Sequence, residues 1–415
     1  MSSSSRRKVV KLLSMVTSMS LGAGVANVRA WNKGRLEVWI NADKGYAGLQ
    51  KVGEEYTRKT GVRVEVRHFD NAVDRFEAAM KARQVGEIPD IWIWPHDRLG
   101  DWVRQGWVVP LKPSEPVRAD IVQVAWDGFM MGGKTWGYPL SVEAVALVYN
   151  TELVPVPPKS FEDVLALHDK LKARNIRALG WETGSPYFTW PLMAAGGGYV
   201  FQRRIDGTYN PQDTGINHPG AVRGAEYVVK LMSAGVIPQG GLSYQDAEAD
   251  MQDGRQAMWI TGPWAWEGLK QAGIDFSVAP LPSLAGKPAR PFVGVLGAML
   301  TAGPNQAIAT DFIENHLLQP GGLGQINAAK PIGVPASKRM FWKLYSDPRI
   351  RTSMDAIYAG RAMPSNSEMT LFWQHLSTAL RDINTGIRSP KDALDAAASQ
   401  IRGAATAKAA AGGKS

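Results

Sequence analysis

The chain has 415 residues, with 47 Lys and Arg against 38 Asp and Glu, six His and no Cys. Its formal charge of +9 is largely an end effect: five bases and no acids fall in residues 1–30, leaving 42 bases against 38 acids. A body that close to neutral does not match a nucleic-acid partner, and without cysteine neither disulfides nor thiolate chemistry is open to it.

Residues 1–30 read as an export signal. Arg6, Arg7, Lys8 and Lys11 precede an apolar stretch, Leu12 to Val28, and Val28-Arg29-Ala30 offers a cleavage-like ending. The arginine pair also fits a twin-arginine signal, with Val9-Val10 where that signal prefers Phe-Leu; a general secretory signal is the alternative. Either route predicts a periplasmic protein.

Leu36, Val38 and Ile40 then alternate as a strand that ends in Asn41, Asp43 and Lys44. A helix is expected over Tyr46–Lys59, stopped near Gly61, then a strand over Val62–Val66, a helix over Val73–Gln84 and a strand over Asp90–Trp94. This βαβα rhythm predicts an α/β fold with a mainly parallel, helix-covered sheet. Ligands of such sheets sit past the carboxyl ends of strands. Two of those ends deliver an Asp with a cation: Asp43 with Lys44, and Asp97 with Arg98 after Trp94. Either loop alone is equally a pair of solvated charges; together they favour a site for a hydroxyl-rich ligand. His96, beside Asp97, is expected to make a loop hydrogen bond.

Gly128 to Thr135 fits the phosphate-cradling template G-x-x-x-x-G-K-[ST], but Gly137 and Pro139 stand where its helix should begin. Gly132-Gly133 instead predicts a hairpin turn. Val142–Tyr149 reads as one long strand leaving one lobe for another, and Ser160 with Asp163 as a helix cap. A second α/β region runs through Met258-Trp259-Ile260. Phe292–Val295 is a candidate return crossing and Asp347-Pro348 a third. The last helix is expected to end near Arg402, with residues 403–415 disordered. The six histidines never pair at ligand spacing, so neither a metal nor a cofactor is expected.

Four segments set aromatics beside Pro, Gly or polar residues, as loops at a cleft would: Trp94-Pro95, Ser185–Trp190, Gly262–Trp266 and Phe372-Trp373. A sugar ring can lay its C–H face on such rings while charged groups bind its hydroxyl rim.

Six segments in order, from Trp39–Tyr46 through Trp94–Arg98, Tyr138–Ala144, Pro186–Leu192 and Gly262–Trp266 to Pro291–Val295, resemble the periplasmic maltose/maltodextrin-binding proteins of ABC sugar importers. The resemblance spans about residue 34 to residue 402. It implies a two-lobe periplasmic binding protein fold, with hinge crossings near Val142–Ala144, Val293–Gly297 and Leu344–Pro348 and a ligand cleft between the lobes. The implied lobes are residues 31–142 with 297–346, and 145–292 with 349–402. It also implies hydrogen-bonding roles for Asn41, Asp43, Lys44, Asp97, Arg98 and Glu143. Aromatic platforms at Trp94, Tyr187, Trp264 and Trp373 follow, with Pro186, Phe188 and Met363 lining the groove. Val73, Ser185, Gln374 and Ser377 stand where that family has polar or aromatic groups, and Glu182 is a candidate replacement near Ser185.

The expectation is a non-enzymatic, monomeric receptor that captures maltose or a maltodextrin by hinge closure and delivers it to membrane permease subunits, a chemoreceptor being a further reader of the closed form. A same-fold receptor for another sugar, such as trehalose or sucrose, is the near alternative. A glycosidase using Asp43, Asp97 or Glu143 is the distant one.

Overall fold

The computed structural model describes residues 34–42, 44–82, 88–204, 208–331 and 333–412, so the expected signal over residues 1–30 lies outside the described residues. Strand β1 (Arg35–Asn41) pairs in parallel with β2 (Arg63–Phe69) on one side and β3 (Ile91–Pro95) on the other. All five of its central residues are buried, Glu37 and Trp39 as well as Leu36, Val38 and Ile40, as befits a strand covered on both faces. The buried Glu37 is kept satisfied by the Trp39 indole N–H at 2.6 Å and by Arg67 at 2.9 Å. Helix Tyr46–Thr60 follows β1 and stops at Gly61, whose φ of 76° is a left-handed turn that suits glycine. Helix Ala72–Ala82 follows β2.

Gly132 (φ 59°) and Gly133 (φ 70°) make the expected hairpin turn between β4 (Met130–Met131) and β5 (Lys134–Thr135). Lys134 is on a strand, so no helix begins there to receive a phosphate. The single strand expected over Val142–Tyr149 is corrected to two, β6 (Tyr138–Glu143) and β7 (Ala146–Asn150), which belong to different sheets and meet at Ala144-Val145.

The smaller sheet has the order β12-β7-β11-β8, from β8 (Arg177–Gly180), β11 (Gln256–Thr261) and β12 (Phe276–Ala279). A two-residue pair, β9 (Gln202–Arg203) with β10 (Tyr209–Asn210), stands apart from it. β13 (Phe292–Leu300) returns to the larger sheet and is inserted between β3 and β6, antiparallel to both. With β14 (Val334–Pro335) and β15 (Arg361–Ala362), that sheet reads β14-β6-β13-β3-β1-β2, with β15 paired to β13. The mainly parallel sheet expected from sequence is therefore corrected. Beyond the β2-β1-β3 block it is largely antiparallel, because β13 arrives from the other sheet rather than through a local crossover helix.

A third passage follows β14, through helix Lys338–Leu344 into helix Pro348–Ala359, which packs on β12. Asp347 caps the latter by accepting from the Arg349 N–H at 2.9 Å. The capping box at Ser160 and Asp163 forms, with reciprocal bonds of 3.1 and 2.9 Å. Two sheets, their helices and three connecting segments make a two-lobed α/β fold.

In the smaller-sheet lobe, helices Pro186–Ala195 and Pro219–Ser233 touch backbone to backbone. A Cβ built on Gly220 would stand 1.7 Å from the Gly196 carbonyl oxygen, and one on Gly224 2.5 Å from that of Leu192. The last helix spans Pro390–Gly412 and corrects the disorder expected beyond Arg402. Its alanines favour helix more than the sequence reading allowed. Ala405 is buried, and Lys408 Nζ donates to the Ser367 carbonyl at 3.0 Å. Among the described residues no helix is long and apolar enough to cross a membrane.

Candidate functional site

β13 runs antiparallel to both β3 and β6, so the carboxyl ends of β1, β3 and β6 lie along one edge of the larger sheet. Asn41, Trp94 and Glu143 sit at those three ends. Tyr187 and Trp264 follow the carboxyl ends of the parallel pair β8 and β11 in the other sheet. Strand ends thus aim both sets of side chains at one cleft.

In that cleft the ammonium of Lys44 lies 3.8 Å from the Glu143 carboxylate of its own sheet and 5.7 Å from the ring centroid of Trp264. Both ends of the ion pair are largely enclosed, with side chains 15% and 11% exposed, so salt screens it poorly. Trp264 begins a run of rings. Tyr187 is 6.1 Å from it, Phe292 is stacked 6.3 Å beyond Tyr187, and Trp373 stands edge-on 5.4 Å from Phe292. Phe188 braces Trp264 from 6.3 Å, and Pro186 opens the helix that carries Tyr187 and Phe188. Facing them, Trp94 stacks on the core residue Trp92 at 5.5 Å.

The Tyr187 hydroxyl is buried with no hydrogen-bond partner among the described residues, and the Trp94 indole lies beside the buried Asp97 carboxylate as a hydrogen-bond donor. That hydroxyl costs about 1 to 3 kcal/mol while unpaired. Burial pushes the Asp97 carboxyl up to about 6, against the opposing charge of Arg98. The Tyr187 phenol is raised well above its ordinary value, by burial first and then by the negative charges of Glu143 and Asp97. Its hydroxyl therefore feels carboxylates from the opposite sheet. A free hydroxyl and a buried carboxylate beside a row of rings match the rim and face of a sugar. Among the described residues no cluster of three metal-binding side chains occurs.

His96 is fully buried. Its Nδ1 accepts from the Val295 N–H at 3.1 Å, and Nε2 lies 3.0 Å from the Met363 carbonyl. That pattern suits the neutral ring, and burial lowers its pKa. His96 ties β3, β13 and the Met363 segment together, holding Met363 in place beside Glu143 and Gly294. Gly294, paired with Glu143 in the sheet, keeps room there: a Cβ on it would come 3.2 Å from Glu143 Cγ and 3.7 Å from Met363 Cε.

Asp43 lies outside the described residues. Asn41 has a second duty, since its Oδ1 accepts from the Ala72 N–H at 3.2 Å and ties β1 to the following helix. All four expected aromatic loops are corrected: Ser185–Trp190 initiates helix Pro186–Ala195, Phe372-Trp373 lies within Met369–Asn384, Gly262–Trp266 forms a short 3₁₀ turn leading into a helix, and Trp94-Pro95 ends β3. Proline at the first helical position and a local polar context had suggested loops. Ser377 stands one turn from Trp373 on that helix, Gln374 is exposed, and Val73 packs on the core. Glu182 is half-buried, and burial alone raises its pKa. Sequence reasoning missed Phe292, which joins Tyr187 to Trp373, and Glu77, which holds Arg98 at 3.1 Å. Phe292 lay in a segment read only as a crossing; Glu77 had no signal beyond its place on an amphipathic helix. A surface cavity of about 530 Å³ near Asp120, Glu314 and Arg339 is lined by no aromatic and shares no residue with this cluster.

The fold and cleft define a two-lobed solute-binding protein. The bacterial extracellular solute-binding protein family matches residues 51–338, and the chain belongs to that family. A galactooligosaccharide-binding protein of Bacillus subtilis is 28% identical over 421 residues, covering 96% of this chain and 97% of that protein. A maltotriose-binding protein of Pyrococcus abyssi is 28% identical over 87% of this chain and 79% of its own length. A maltooligosaccharide ABC transporter solute-binding lipoprotein of Streptococcus pneumoniae is 24% identical over 88% of each chain.

Proposed function

We propose that the protein is an extracytoplasmic receptor that captures a maltodextrin between its lobes and presents it to an ABC importer. The observation that carries this reading is the run Trp264–Tyr187–Phe292–Trp373, with the unpartnered Tyr187 hydroxyl, opposite Trp94 and the buried Asp97 carboxylate. An apolar ring face and a hydroxyl rim would be met together only when both lobes engage, so the ligand favours the closed state. Trp94, Asp97, Arg98, Lys44, Asn41, Asp43 and Glu143 serve the first lobe in this reading. Pro186, Tyr187, Phe188, Trp264, Met363 and Trp373 serve the second. The lobes are residues 31–142 with 297–346, and 145–292 with 349 onward. Permease subunits read the closed form, the protein acts as a monomer in the periplasm after export, and it turns over no substrate.

A tryptophan-fluorescence titration with maltose, maltotriose, galactotriose, trehalose and sucrose tests it. Saturation by the maltooligosaccharides alone supports the maltodextrin reading. Saturation by galactotriose alone would transfer the site to galactooligosaccharides, a second reading that the 96% coverage shared with the Bacillus subtilis relative favours. Glucose release from maltotriose would contradict a pure receptor.

Asp97 gives the binding a pH signature. Its carboxyl holds a proton up to about pH 6 in the free receptor. A sugar hydroxyl donating to it favours the ionised form and lowers the bound-state pKa. Binding then releases a proton below about pH 6, and affinity falls as pH falls through that value. The Kd at pH 5 is expected to be up to about tenfold weaker than at pH 7.5, the limit for one unit of titration. Calorimetry across that range checks it, and Asp97→Asn should flatten the profile.

A further inference from the structure

We propose that Glu77 is a positioning residue that holds the Arg98 guanidinium ready for the ligand, an inference that rests on the oligosaccharide reading above. Glu77 lies on helix Ala72–Ala82, one turn beyond Val73 and on the same face. Its Oε1 accepts from two N–H groups, Arg98 Nη1 at 3.1 Å and Trp102 Nε1 at 3.2 Å. Trp102 is fully buried, edge-on to Phe76 at 5.4 Å and to Trp92 at 5.8 Å. The core therefore fixes the indole, the indole fixes the carboxylate, and the carboxylate fixes the arginine.

Arg98 remains 39% exposed and Glu77 21%, so the guanidinium is held without being sealed. That contact uses Nη1, and a guanidinium has five N–H donors in a rigid fork, so others stay free for hydroxyls. A long side chain already held in place gives up less rotamer freedom when a ligand arrives. Arg98 also supplies the main charge acting on the neighbouring Asp97. Glu77 thus presents Asp97 and Arg98 as one fixed acceptor–donor pair at the end of β3. The apolar Val73 on the preceding turn offers no polar group, so the polar contribution of this helix face falls to Glu77.

Maltotriose is titrated into wild-type protein, E77A, E77Q, R98A and the double variant E77A/R98A, with a melting temperature recorded for each. E77A is expected to weaken binding about tenfold. E77Q keeps an amide oxygen that can accept both N–H bonds and should stay within about threefold of wild type. In the R98A background, E77A should add less than about twofold, because its effect passes through the arginine. Wild-type affinity in E77A overturns the proposal. So does an equal loss from E77A with and without Arg98, or an E77Q as weak as E77A. If E77A fails to fold, E77Q and E77D in both backgrounds decide on the same criteria. A wild-type protein that binds none of the panel sugars sinks the oligosaccharide reading, and this inference with it, before any variant is compared.

Discussion

Trp264→Ala is expected to raise the Kd for the sugar about 5- to 150-fold, a loss of about 1 to 3 kcal/mol by analogy with rings stacked on aromatic side chains. Trp264 is half-buried and begins the row of rings, with Lys44 on one side and Tyr187 and Phe188 on the other. Removing it deletes the stacking surface and also the aromatic face toward which the Lys44 ammonium points. The ion pair of Lys44 with Glu143 does not depend on the indole, so the first lobe's charged groups stay in place. Gly262 folds beneath the ring: a Cβ there would come 2.1 Å from the indole, so the turn was shaped around Trp264. Titration calorimetry on the folded variant, with its melting temperature as control, separates lost stacking from lost fold. An unchanged Kd would place the sugar elsewhere.

Gly220→Ala should destabilise the protein although alanine favours helices over glycine by about 1 kcal/mol. The new methyl would meet the Gly196 carbonyl oxygen at 1.7 Å and its carbon at 2.3 Å, both backbone atoms with no rotamer to yield. Helices Pro186–Ala195 and Pro219–Ser233 must separate, at a cost of about 1 to 3 kcal/mol or more. The first of them carries Pro186, Tyr187 and Phe188, so sugar affinity should fall with stability. Gly403→Ala supplies the opposite sign. That glycine is inside the last helix with nothing within 4 Å of a built Cβ, and the substitution should stabilise by up to about 1 kcal/mol. Chemical denaturation of the two variants side by side checks both signs. A stable Gly220→Ala would mean that the two helices are not in backbone contact.

The parts of this molecule that were legible in the sequence were those set by local chemistry. The helix ending at Gly61, the Gly132-Gly133 hairpin and the Ser160–Asp163 cap all follow from backbone conformation and short-range hydrogen bonds. What escaped was set by distant partners. Little in Tyr138–Tyr149 announces that Glu143 ends a strand of one sheet and Ala146 begins a strand of another, since the apolar run from Ala144 to Tyr149 continues straight across the break. The βαβα rhythm was read correctly through β3, but the antiparallel strand beside it comes from far along the chain. Within the cluster, Trp94, Asp97, Tyr187 and Trp264 carry residue types that suggest a sugar by themselves. Phe292 and Glu77 act through neighbours that only the folded chain supplies. His96 looked like a loop donor and is a buried tie between three segments, a role that charge and spacing do not encode.

The place of β13 also sets a timetable for folding. It lies between β3 and β6, yet roughly 150 residues separate the end of β6 from its start. At about 5 to 20 residues per second, synthesis of that stretch takes on the order of 10 to 30 s. During that time β3 and β6 have no strand between them, and the larger sheet has no continuous middle. The first lobe cannot form as an N-terminal unit ahead of the second; it must wait for a strand that emerges after the smaller sheet is complete. Such non-local pairing slows folding, so the larger sheet is the later of the two to be completed.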